Sequence, residues 1–276
     1  MPTSKNQKRV KRALRTGGYA LAVALALLAA SGCGSGSGSQ PAASTATVAA
    51  GAALSSQPSL SASNLPLDAG QTSVFLANAS GVPAKVNFTL EGPWDLSDGP
   101  ADATLTISMV SKNSAPGSEH FPDATVAARL SWNPARGPDE FNFETLGNDA
   151  WQSFGKSGGQ GLVLYSLPAD ALEFPATVGS NWSSVYSRTG TGASVGVIES
   201  SKIVGYGKLT VPAGTFDAFL LQTRVAVDSG APASTVTWDY IWFVPGVGRA
   251  AEIISQGDEQ NPLFTSAYAF YRLKSY

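Results

Sequence analysis

The 276-residue sequence holds one cysteine, Cys33, and one histidine, His120. A single thiol excludes an internal disulfide, and one His with no second Cys excludes the usual zinc sites. Charged side chains make up only 14% of the chain. Six basic residues (Lys5, Lys8, Arg9, Lys11, Arg12 and Arg15) crowd the N-terminus, and no basic cluster follows them. Without those six, 12 basic residues face 20 acidic ones. That balance disfavours nucleic acid and anionic lipid surfaces as partners. The longest apolar run, Tyr19 to Ala30, falls short of the ~20 residues a spanning helix needs.

That short run has a different use. A basic start, an apolar stretch of this length and small residues at its end form the layout of an export signal. Leu28-Ala29-Ala30-Ser31-Gly32-Cys33 resembles the lipobox of bacterial lipoproteins, with Ala30 where Leu is commoner. The resemblance implies removal of residues 1–32, a lipid on the Cys33 thiol, and a chain anchored to a membrane on its extracytoplasmic face. Two acyl chains hold a protein stably where one gives only reversible binding. No charge occurs between Thr16 and Leu67, and residues 33–64 are dominated by Ser, Ala and Gly. Such a segment has too little bulky apolar side chain to bury and is expected to act as a flexible tether.

Residues 65–276 are expected to form one β-rich envelope domain. Apolar residues alternate with polar ones through Val86–Leu90, Leu105–Met109, Val126–Trp132 and Phe219–Val227, the period of half-buried strands. Breakers such as GPWDLSDGP and NPARGPD separate them. Only Asp149–Phe154 and Ala169–Leu172 are candidates for short helices. The expected architecture is therefore mainly β: a single antiparallel, curved sheet, half-barrel or sandwich-like. A type II turn at Pro245-Gly246 places Trp238, Tyr240, Trp242 and Val244 on one strand face with Ala251 and Ile253.

The runs Phe174–Trp182, Val211–Phe219 and Val244–Gly248 resemble a group of bacterial envelope lipoproteins of unknown function, TapB-like, similar in layout to exported domains with LolA-like half-barrel sheets. The resemblance implies a curved sheet and an envelope location, and it carries no catalytic residues.

Candidate chemistry is sparse. Gly192-Ala193-Ser194-Val195-Gly196 fits the nucleophile-elbow pattern, but that motif needs a strand-to-helix turn and a later His, and His120 precedes it. Gly155-Lys156-Ser157 lacks the earlier glycine of a phosphate loop, since Ala150 stands there. Carboxylates Glu199, Asp217, Asp239 and Glu252 are scattered over expected strands, with Asp217 suited to pair with Lys208. No catalytic residue, metal site or cofactor is expected. The aromatic face of Trp238, Tyr240 and Trp242 is the candidate for a ligand surface, set against the alternative that it is core. A hydrophobic ligand or an envelope protein partner is the expected function. The alternatives are a structural or assembly lipoprotein with a filled core and, least favoured, a hydrolase using carboxylates.

Overall fold

A computed structural model describes residues 58–78, 88–159, 161–190, 194–228, 235–255, 257–258 and 267–276. The export signal, Cys33 and nearly all of the tether lie outside them. The strands are β1 (Thr72–Asn78), β2 (Trp94–Asp95), β3 (Ala103–Ser111), β4 (Val126–Asn133), β5 (Glu140–Leu146), β6 (Ala150–Gly158) and β7 (Val163–Glu173). They continue with β8 (Asn181–Thr189), β9 (Val195–Val211), β10 (Gly214–Asp228), β11 (Val236–Val244), β12 (Gly248–Ser255) and β13 (Ala267–Ser275).

Twelve of these strands close a ring. The order runs β1, β3, β4 and onward in chain order to β13, each neighbour antiparallel, and β13 pairs with β1. The expected curved sheet, half-barrel or sandwich-like, is therefore a closed barrel. Closure depends on the first and last strands finding each other, as in Phe75 opposite Leu273, and no local periodicity encodes that. Both candidate helices are strands. Trp151 pairs with Leu172, and Ser153 with Ala169, so ladder hydrogen bonds override a weak local preference. The strand expected through Val86–Leu90 lies partly outside the described residues, and Phe88–Leu90 form no strand.

Two segments cover the outside of the ring. Residues 88–100 cross β9, where β2 adds a short parallel pairing of Trp94 with Leu209. Gly205 and Gly207 make the crossing possible, because a Cβ on Gly205 would strike the Leu90 carbonyl oxygen. Arg272 on β13 holds the same segment, donating to the carbonyls of Ser97 at 3.0 Å and Gly99 at 2.7 Å. Residues 112–124 cover β4 and β5, with Phe121 stacked on Phe143 at 4.0 Å. On β3 and β4 the outward residues include Thr104, Thr106, Ser108, Arg129 and Ser131. A membrane-spanning barrel needs an outward apolar band there, so this face suits water.

An eight-stranded barrel is just filled by its own side chains, and wider ones hold ligand or water. Twelve strands leave more interior than side chains alone fill. One end is plugged. Leu60, paired with Ala176, and Leu65 pack with Trp151, Trp182, Phe219 and Phe243. Trp151 meets Phe243 edge-on across the barrel at 5.8 Å. The packed chain thus reaches back to Leu60, into what the sequence reads as tether. Residues 58–276 contain every strand of the ring and both plugging leucines, so the ring closes within them.

Candidate functional site

The register of β11 separates its side chains cleanly. Tyr240 lies opposite Ile253 and Trp242 opposite Ala251, so the face expected from the turn is formed as expected. That face points outward, under residues 88–96. Phe88 meets Tyr240 at 5.0 Å and Trp242 at 5.1 Å, and Trp94 meets Trp242 at 6.0 Å, all edge-on. Trp238, Tyr240 and Trp242 are buried in this layer, and neither interior cavity described below is lined by them.

The alternate positions, Asp239, Ile241 and Phe243, point into the barrel. There the scattered carboxylates meet. Glu252 on β12 receives a hydrogen bond from Arg249 at 2.5 Å and hydrogen-bonds the Asp239 carboxyl. Glu144, on β5 across the ring, accepts from the Trp151 indole N–H at 3.1 Å and lies close enough to Arg249 for the guanidinium to stabilise its charge. Further round the wall, Tyr186 donates to Glu199 at 2.7 Å. Arg188 donates to Tyr186 at 2.9 Å and pairs with Glu199 at 3.3 Å. Lys156 on β6 reaches both oxygens of Glu140 on β5 at 3.0 Å.

Burial shapes the charge states of this group. Desolvation pushes the Glu144 carboxyl up to about 7, against the pull of Arg249 and the Trp151 hydrogen bond. Desolvation and the neighbouring Glu252 raise the Asp239 carboxyl well above its ordinary value. One Asp239 oxygen, Oδ1, is buried without a hydrogen-bond partner. Burial works against the charge on Arg249, and Glu252, Asp239 and Glu144 more than offset it, leaving its pKa raised.

Two cavities adjoin the group. The larger, about 600 Å³, lies toward the β4–β5 hairpin, where Arg136, Gly137 and Pro138 form part of its wall. Its apolar lining is Leu105, Ile107, Leu130, Ile254 and Ala269, beside Trp132 and Tyr271. Glu140, Asn142 and Lys156 on β5 and β6, and Arg249 and Glu252 on β12, line the cavity as well. The smaller, about 90 Å³, lies beyond Arg249 toward the plugged end and is walled by Leu65, Pro66, Met109, Glu144 and Trp151. Ile107, Leu130, Asn142 and Arg249 belong to both, so Arg249 stands at their junction.

The remaining sequence candidates lie elsewhere. Lys208 and Asp217 do pair, at 2.8 Å, on the surface. His120 sits on an exposed turn with Glu119 at 3.4 Å, and among the described residues no acidic or His cluster is arranged to hold a metal ion. Ser194 precedes β9 and accepts a hydrogen bond from Thr189 at 3.1 Å. Gly192 and Ala193 of that pattern lie outside the described residues, as does Cys33. Sequence reasoning missed the cavity residues Arg249, Lys156, Glu140 and Glu144. The available signal was charge recurring at alternate strand positions opposite apolar or aromatic ones.

No family model matches the chain, and no curated protein matches it. Among solved structures it is similar to a "putative lipoprotein" from Parabacteroides distasonis, at 12% identity and a TM-score of 0.46, over 76% of this chain and 96% of that one. It is likewise similar to a "putative exported protein with YmcC-like fold" from Bacteroides fragilis, at 10% identity and a TM-score of 0.46 with the same coverage. Neither likeness bears on what the barrel binds.

Proposed function

We propose that the chain is a lipid-anchored extracytoplasmic domain whose barrel interior holds an amphipathic small molecule. The observation that carries this is the cavity of about 600 Å³ lined by both apolar and charged side chains. Its size lies within the range of small-molecule sites, and its lining sets apolar side chains beside charged ones, the polar part being the larger. A core needing only stability gains little from such a group, since buried ion pairs are weak contributors to it. Tethering through Cys33, as in the lipobox resemblance, keeps the barrel near a source of amphiphiles. The TapB-like and LolA-like resemblance belongs to the same proposal, with the ring closed rather than half open.

The test uses residues 58–276, stripped of bound lipid and titrated by calorimetry with three twelve-carbon amphiphiles: dodecanoate, dodecan-1-ol and dodecylammonium. At least one binds, and Ala269→Trp, which fills the cavity from β13, removes that binding while leaving the melting temperature near that of the parent. If none binds, or if Ala269→Trp binds like the parent, the proposal fails.

A further inference from the structure

The cations lining the larger cavity are already matched. Arg136 pairs with Asp102 at 3.6 Å, Lys156 with Glu140 at 3.0 Å and Arg249 with Glu252 at 2.5 Å. The wall therefore offers donors and acceptors side by side rather than charge of one sign. Strand register gathers one pair into a compact patch. Glu140 and Asn142 stand two residues apart on β5 and share a face, and Lys156 on β6 lies directly opposite Asn142. All three line the cavity. On the other flank Leu130 on β4 lies opposite Glu140, and Ile107 on β3 opposite Leu130. Leu105 and Trp132 form the next pair along on that face, with Tyr271 6.2 Å from the Trp132 ring. Apolar wall thus adjoins the polar patch.

Resting on the proposed function of the cavity, we infer that its ligand is an uncharged amphiphile whose head carries adjacent hydroxyl groups, as a glyceryl or sugar head does. The hydroxyls bond Glu140, Asn142 and Lys156, and the apolar body lies along Leu130, Ile107 and Leu105. The patch has bonding capacity left for them. Lys156 gives two of its three N–H to the Glu140 oxygens, each at 3.0 Å, and each of those oxygens keeps a lone pair. Among the described residues the Asn142 amide has no hydrogen-bond partner. A hydroxyl accepts and donates at once, so it bonds both members of an ion pair without breaking it. One hydroxyl supplies one proton, whereas Glu140 and the Asn142 carbonyl both accept, and a second hydroxyl beside the first serves both. A carboxylate head meets Glu140 next to the cation it seeks, and an ammonium head meets Lys156. Either gives up its hydration to a wall without net charge, which is costly.

The test adds dodecyl glucoside and 1-O-dodecylglycerol to the three amphiphiles titrated into residues 58–276. At least one of these two binds about tenfold or more tighter than dodecan-1-ol, the gain from one further hydrogen bond to a charged group, and the tighter of the two identifies the head as sugar or glyceryl. Dodecanoate and dodecylammonium both bind more weakly than it does. Asn142→Leu removes the amide and breaks no existing hydrogen bond, so the variant keeps the melting temperature of the parent. It cuts the advantage over dodecan-1-ol by about threefold or more, while dodecan-1-ol itself binds as before. Dodecan-1-ol binding as tightly as both hydroxyl-rich amphiphiles overturns the inference and leaves the cavity reading standing, and so does a charged amphiphile that matches them. An advantage unchanged in Asn142→Leu overturns the seat on this patch. No binding by any amphiphile overturns both the inference and the proposal beneath it.

Discussion

The two faces of β11 are built from one nine-residue strand and do opposite work. Outward, Trp238, Tyr240 and Trp242 are packed under Phe88 and Trp94. Inward, Asp239 joins Glu252 and Arg249 at a barrel interior that its side chains do not fill. Large aromatics fill space well, so a dense row of them marks where a structure is solid. Charge at alternating positions is costly to bury, and here it marks where the structure is hollow.

The largest expected effect breaks this contrast at Trp242. Trp242→Ala should cost about 3–5 kcal/mol, the range for large core aromatics, measured by urea unfolding. Ile107→Ala, whose side chain already borders a cavity, should cost roughly 1 kcal/mol or less, because little packing is left to lose. Equal costs would mean that the interior is as well packed as the outer layer.

The plug comes next. Leu60 is fully buried, so Leu60→Ala should cost about 2–5 kcal/mol. A chain begun at residue 66 should lose more and melt earlier in a thermal scan. Unchanged melting on starting at residue 66 would show that Leu60 and Leu65 are not part of the folded unit.

Much of the fold was legible in the sequence, and the reasons are specific. The alternation through Leu105–Met109 and Val126–Trp132 fixed strands, and the Pro245-Gly246 turn fixed the partners of Tyr240 and Trp242. Which side of the sheet faced inward was not legible. That depends on residues 88–96 folding over the outside, and on β1 meeting β13 from opposite ends of the folded chain. Glu199, Asp239 and Glu252 were visible as strand carboxylates, but only closure brings β9, β11 and β12 around one interior with β5. Asp217 differs from them because its partner, Lys208, lies across a hairpin and needs no closure.

Glu144 sharpens the interior side of the comparison. Its folded pKa of about 7 lies above the ordinary 4.5, so between these values the folded state holds the extra proton. Stability therefore falls as pH rises from about 4.5 to 7, by a few kcal/mol from this group, and Asp239 acts in the same direction. Glu144→Gln should flatten that dependence in unfolding measured at pH 5 and pH 8. A parent whose stability rises over this window would contradict the burial of these acids.

The smallest effect belongs to the surface. Lys208 and Asp217 are half exposed, and Lys208→Ala should change stability by less than about 1 kcal/mol. A larger loss would mean that this hairpin supports the ring.

The most direct test of the central claim compares the two faces in one binding experiment. Trp242→Phe keeps an aromatic ring outside and removes an indole N–H that has no partner there, while Ala269→Trp fills the interior. Dodecan-1-ol affinity is measured by calorimetry for both variants and the parent. The account predicts parent-like binding by Trp242→Phe and a loss of about tenfold or more in Ala269→Trp. Weakened binding in Trp242→Phe together with intact binding in Ala269→Trp would place the ligand on the aromatic face and contradict it.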